Sequence, residues 1–193
     1  MSEVQVASVQ EAPHLVATIV LAFASDPMVR WTFPPPGTYL RVMPDLVRAF
    51  GGRAFEHDTA YYLNDAAAAA LWLPPGVQPD EETMATLMQQ AAPERVEEAF
   101  SVMEQMDHYH PKTPHWYLPL TGVDPMQQGK GYGAQLLEAA LERCDEAQLS
   151  AYLESSNPRN IPLYERHGFQ ALGRIQAGTS PVMVPMLREP QPL

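Results

Sequence analysis

The chain has almost no cysteine, little positive charge and no long apolar run. A single cysteine, Cys144, in 193 residues rules out an internal disulfide. Its place on what reads as the apolar face of a helix makes it a small buried hydrophobe rather than a nucleophile. Twelve Lys+Arg stand against twenty-three Asp+Glu, a formal net charge of −11. A field of that sign repels phosphate backbones and anionic headgroups, so nucleic acid and membrane are not expected partners, whereas a cationic amine would be attracted. No window approaches the roughly 20 apolar residues of a membrane span. The opening Met1-Ser2-Glu3-Val4-Gln5 shows no basic stretch leading into an apolar one, and the expectation is a soluble, cytoplasmic protein. The Pro-rich stretches 34–36, 74–75 and 190–193 are too short to separate domains. Residues 1–189 therefore read as one domain, with 190–193 as a frayed tail.

What is present alternates between two periods. Val4 to Val9 reads as a strand, and Pro13 to Ala24 as a helix carrying Leu15, Val16, Ile19, Val20 and Phe23 at helical spacing. Asp26 to Gly37 is broken by prolines and reads as a loop, followed by a helix near Tyr39 to Phe55. Ala60–Leu63 and Ala67–Leu73 predict a β-hairpin, because Asn64-Asp65 tolerates the positive φ of a tight turn. Helices follow at Glu81 to Gln90 and Pro93 to Tyr109, the latter with Val96, Phe100, Met103 and Met106 as a stripe assigned to the core. Strands and helices together give an α/β class.

From His115 the pattern sharpens. Trp116 to Val123 predicts a strand, with Gly122 marking a bulge or a close backbone approach. Gln127-Gln128-Gly129-Lys130-Gly131-Tyr132-Gly133 then leads into a helix with Leu136, Leu137, Ala140, Leu141 and Cys144 on one face. The first N–H groups of that helix have no intrahelical partner, and the glycines leave room for a pyrophosphate to reach them. Lys130 could add a charge, but the backbone carries the binding on this reading. A Walker loop requires Gly-x4-Gly-Lys-Ser/Thr and a dinucleotide loop Gly-x-Gly-x-x-Gly; neither fits the Gly-x-Gly-x-Gly found here.

The spacing Gln128-x-x-Gly131-x-Gly133 resembles the Gln/Arg-x-x-Gly-x-Gly/Ala motif of the GCN5-related N-acetyltransferase (GNAT) superfamily. Leu120-Thr121-Gly122-Val123-Asp124-Pro125 resembles that superfamily's fourth strand, and Asn157 to Phe169 its later Asn-x6-Tyr-x3-Gly-Phe motif. Within the superfamily, Gln128-Gly129-Lys130-Gly131, Leu153-Glu154-x-Ser156 and Pro158-Arg159-Asn160-x-Pro162-x-Tyr164-Glu165-Arg166 look most like the puromycin N-acetyltransferase branch.

The resemblance implies a twisted mixed sheet of six or seven strands flanked by helices, opened between the fourth and fifth strands, with acetyl-CoA as co-substrate and no metal. The backbone of Leu120, Thr121 and Val123 would pair with the pantetheine arm, a bulge near Gly122 aiming an N–H at the thioester carbonyl. Gln128, Gly129, Lys130, Gly131, Tyr132, Gly133 and Ala134 would hold the pyrophosphate. Asn157 would contact the pantetheine end, with Asn160 as a second contact or only a helix N-cap.

The resemblance places Tyr164 where the family has its general acid, and an ordinary phenol is protonated at neutral pH and able to give that proton; the alternative is a core tyrosine. Transfer also needs the acceptor amine deprotonated, by a base or a water relay; Glu154 is the first candidate base, ahead of His110 and His115, the alternative being a solvated or purely hydrogen-bonded carboxylate. The expected activity is acetyl transfer to a small-molecule amine, with the acceptor chosen around residues 26–33, Trp72 and residues 81–109. A non-catalytic acyl-CoA sensor, a protein or peptide N-acetyltransferase, and a homodimer are left open.

Overall fold

The computed structural model of the chain describes residues 3–192. Seven strands form one sheet: β1 (Gln5–Val6), β2 (Ala60–Leu63), β3 (Ala68–Leu73), β4 (Trp116–Val123), β5 (Ala151–Ser155), β6 (Gln170–Ala171) and β7 (Val184–Arg188). Their order is β1-β2-β3-β4-β5-β7-β6. All neighbours are antiparallel except β4 and β5, which run parallel. Helices α1 (Ala12–Ala22), α2 (Pro27–Thr32), α3 (Pro36–Gly51), α4 (Glu81–Ala91), α5 (Val96–Tyr109), α6 (Tyr132–Glu146) and α7 (Ile161–Arg166) complete the fold.

The central strand β3 shows why the sheet is covered on both faces. Ala69, Leu71 and Leu73 join a core built with α1, α3 and α4. Ala68, Ala70 and Trp72 alternate onto the other face, against Leu136, Leu137 and Ala140 of α6. Period-2 alternation places both sets on apolar surfaces, so all six residues are buried. The alanines that favour helix by propensity are thus held as strand by tertiary packing, and the β2–β3 hairpin turns through Asn64, Asp65 and Ala66, all at positive φ. Cys144 is fully buried, its thiol donating to the Ala140 carbonyl at 3.3 Å, and burial pushes its pKa up to about 12.

Three readings of the sequence need correction. The segment 26–37 is not a loop. Asp26 caps α2, its Oδ1 accepting from Val29 N–H at 3.0 Å, and Pro27 opens that helix, where a missing N–H costs nothing. Pro36 begins α3 in the same way. The first strand is only Gln5–Val6. The β4 irregularity is not at Gly122, which pairs in register with Ala69; the register slips between Leu71↔Leu120 and Leu73↔Tyr117, so the extra residue lies at Leu118–Pro119. Proline has no N–H to give the ladder, and a bulge is one of the few places a central strand can hold it.

Gly122 has a different task. A Cβ there would lie 2.7 Å from the Ala22 Cβ, so its bare backbone lets α1 close on β4. Gly122→Ala is expected to lower stability by about 1–3 kcal/mol in urea unfolding, and Ala22→Gly in the same chain to recover part of that loss.

Candidate active site

Paired residues between β4 and β5 stop at Tyr117↔Tyr152. Beyond the Leu118–Pro119 bulge the strands part, leaving the β5-facing edge of residues 118–123 without a strand partner. The gap opens into a cavity of about 240 Å³. Its floor is Leu118 to Thr121 of β4 and Leu153 to Ser156 around the end of β5; its walls come from α2 to α5. Met28, Met43, Met84, Met88, Met103, Met106 and Met183 line it, seven of the chain's ten methionines. Thioether side chains fill irregular apolar space and adapt to different occupants. The carboxylates in the lining are Glu81, Asp107 and Glu154, and no Lys or Arg lines it among the described residues.

Glu154 is anchored with care. Its side chain is 2 % exposed. Its Oε2 accepts from the Tyr117 hydroxyl at 2.8 Å, while Oε1 is buried with no hydrogen-bond partner among the described residues. An unpaired buried carboxylate oxygen is costly unless something cationic completes it. Burial, then the neighbouring Glu154 charge, hold the Tyr117 phenol well above its ordinary value, so Tyr117 remains a donor. His110 Nδ1 lies 3.9 Å from Oε1. His110 and His115 meet through their Nε2 atoms at 2.9 Å, and His115 Nδ1 is 2.7 Å from the Thr113 carbonyl.

Tyr164, on α7, lines the same cavity, its ring packed edge-on to Phe169. Burial raises its phenol above the ordinary value, with the buried Asp26 carboxylate adding to the shift. The hydroxyl therefore stays protonated, and it makes no hydrogen bond to the protein among the described residues. Asp26 is itself tied to this end of the cavity, accepting from Ser156 Oγ at 2.6 Å.

The glycine-rich loop follows β4 directly. Gly129 and Gly131 adopt φ of 80° and 82°, a region that disfavours any side chain. Gly131 is the N-cap of the 15-residue α6, without a side-chain cap and with no acidic residue in the first turn. Helices α2 and α4 close their first turns with Asp26 and Asp80. The first N–H groups of α6 therefore stay available at the positive end of the helix dipole, which suits a phosphate. Lys130 donates to Gln127 Oε1 at 2.6 Å, and the Gln128 side-chain amide to the Val123 carbonyl at 3.3 Å. Tyr132 Oη accepts from Asn64 Nδ2 at 3.1 Å.

Residues 54–169 match the family model for the acetyltransferase (GNAT) family. The chain belongs to the GNAT family. An uncharacterised N-acetyltransferase of Schizosaccharomyces pombe is 42% identical over 79 residues, which cover 39% of this chain and 32% of that protein. The match thus spans about a third of that relative's length. Among solved structures, one described as histone acetyltransferase HPA2 and related acetyltransferase, from Corynebacterium glutamicum, superimposes with a TM-score of 0.71 at 26% identity, covering 98% of this chain and 97% of the other. Arylalkylamine N-acetyltransferase 2 of Aedes aegypti has the same fold, with a TM-score of 0.69 at 12% identity, covering 98% of this chain and 99% of its own.

Of the GNAT site residues expected from sequence, Leu120, Thr121, Glu154, Asn160 and Tyr164 line the one cavity. Val123, Gln128 to Ala134 and Asn157 lie outside its lining. Asn160 stands at the α7 N-cap but makes no capping bond; Asn157 caps the turn before it, its Oδ1 accepting from Arg159 N–H at 3.1 Å. One expectation about the acceptor region fails: Trp72 is fully buried on the opposite face of the sheet, under α6. Met103 and Met106 of the α5 stripe pack against the core and also line the cavity. Tyr117 was missed: one strand position among several aromatics, its meaning depends on Glu154, 37 residues away. Tyr117→Phe would leave the buried carboxylate without its donor, and is expected to cost about 2 kcal/mol in chemical denaturation.

Proposed function

We propose that this GNAT protein transfers an acetyl group from acetyl-CoA, the family's co-substrate, to the amine of a small molecule whose body is apolar. The observation that carries the reading is the cavity: methionine and aromatic walls, carboxylates as the only charged chains of fixed sign among the described residues that line it, and a Glu154 oxygen unpaired among those residues at the end where β4 and β5 part. An apolar body would bury against the methionines while its ammonium group completes Glu154. The puromycin-like words at residues 128–131 and 153–166 support the same branch and the same acceptor class.

The co-substrate would supply an activated acetyl thioester. The β4 edge at Leu120, Thr121 and Val123 offers unpaired backbone to an extended arm, the α6 N-terminus offers N–H groups to its phosphates, and Asn157 and Asn160 stand beyond β5 toward the same arm. Glu154 takes a proton from the ammonium so that the nitrogen lone pair can attack. As the C–S bond breaks, Tyr164 gives its hydroxyl proton to the departing sulfur, and the second proton lost by the acylated nitrogen restores the phenol. Both groups stand in one chamber, so direct transfer by proximity is open without a covalent enzyme intermediate.

Acetyl-CoA turnover followed by thiol release, against a panel of apolar primary amines with puromycin included, tests the reading. Tyr164→Phe is expected to lower kcat at least tenfold, about 1.4 kcal/mol of lost transition-state stabilisation, with CoA affinity unchanged. Tight CoA binding without turnover on any amine would point to an acyl-CoA sensor instead, and preference for peptide amines would point to a protein acetyltransferase.

A further inference from the structure

We propose that His110 is the relay that removes the acceptor's proton from Glu154, and that His115 is the positioning residue that sets His110 in the tautomer able to do so. The inference rests on the amine-acetyltransferase reading and extends it to two side chains on the way out of the cavity.

The argument starts from the one atom whose role is fixed. The Thr113 carbonyl can only accept, so His115 Nδ1, 2.7 Å away, carries a hydrogen. Burial lowers the basicity of His115, whose ring is therefore neutral, and a neutral imidazole with a hydrogen on Nδ1 has a lone pair on Nε2. That lone pair faces His110 Nε2 at 2.9 Å, so His110 must carry its hydrogen there. What remains on a neutral His110 is a lone pair on Nδ1, the atom that faces Glu154 Oε1 at 3.9 Å. In that tautomer the His110 side of this contact carries no hydrogen. A closure of about 1 Å by side-chain rotation brings the two atoms to hydrogen-bond distance once a proton is present.

The proton that arrives is the acceptor's. Its N–H bond breaks, the electron pair stays on nitrogen to attack the acetyl carbon, and the proton goes to Glu154 Oε1. From there it passes to His110 Nδ1, which restores the carboxylate and makes an imidazolium. The His110 side chain is 18% exposed, and the loop that follows it is exposed at Lys112 to Pro114, so the imidazolium can release its proton to water. The groups around it favour this traffic. Tyr117 and Tyr152 pack edge-on to the His110 ring at 4.7 and 4.8 Å, and burial keeps both phenols protonated. Tyr109 precedes His110 at the end of α5. Asp107 lines the cavity while taking Lys112 Nζ at 3.4 Å, and Glu81 faces the cluster from α4, so a transient cation at His110 sits among carboxylates.

Two measurements test the relay. Long-range ¹⁵N–¹H correlation NMR of the unaltered protein reads the tautomers directly: His115 protonated on Nδ1 and His110 on Nε2 are expected, and His110 protonated on Nδ1 alone would overturn the proposal. In kinetics with phenethylamine, tryptamine and hexylamine, His110→Ala is expected to lower kcat/KM at least tenfold near neutral pH. That deficit should shrink as pH rises toward about 10, where the amine loses its proton to water unaided, and added imidazole should restore part of it. His110→Gln, which keeps more of the packing, should show the same pH-dependent deficit. A loss equal at every pH without imidazole rescue, or no loss in either variant, would reduce His110 to a packing ring. Turnover by the unaltered protein on none of the amines would instead sink the amine-acetyltransferase reading, and the relay with it.

Discussion

The site depends on the parting of two parallel strands. After Tyr117↔Tyr152, β4 and β5 no longer pair, and Leu120, Thr121, Glu154 and Tyr164 all lie beyond that point. Pro119 and the extra residue beside it divert β4, leaving backbone with unused hydrogen-bonding capacity beside a cavity. A sheet normally covers such edges; here the edge is left beside the chamber. The same parting gives Glu154 a place at the end of β5, with Tyr117 from the paired part of β4 holding one oxygen and the other facing the chamber.

Charge and apolar surface divide the work in this chamber. The methionines make a wall tolerant of shape, while the carboxylates fix where a positive group can sit. Because no lysine or arginine lines the cavity among the described residues, a cation is attracted and an anionic body is not. The net charge of −11 extends that preference over the surface.

Much of this was legible in the sequence wherever the signal is local. Gly129 and Gly131 stand before an apolar helical repeat, and the structure gives both a positive φ. The Asn64-Asp65 turn and the strand at 116–123 depend only on neighbours. Errors came where local chemistry had two meanings. Proline in residues 26–37 was read as a breaker although Asp26-Pro27 is also how a helix begins. Glycine at 122 signals either a bulge or a close backbone approach, and the structure has the approach, of α1; the bulge lies at the proline three residues earlier. The Tyr117–Glu154–His110–His115 cluster had no single-sequence signature as an assembly, because its members come from β4, β5 and the α5–β4 connection and meet only when the sheet forms. Trp72 shows the converse: alternation along β3, correctly read as strand, already implied two faces, but not which one carried the cavity.

Cys144 is also bound up with how this chemistry can be observed. Its sulfur is enclosed by the α6 core, hydrogen-bonded to its own helix and held as a thiol far above neutral pH. Thiolate is the form that reacts with aromatic disulfides and maleimides. As long as the chain stays folded, its only sulfhydryl is therefore spectroscopically silent to such reagents, and any free sulfhydryl that appears in solution has come from the thioester rather than from the protein.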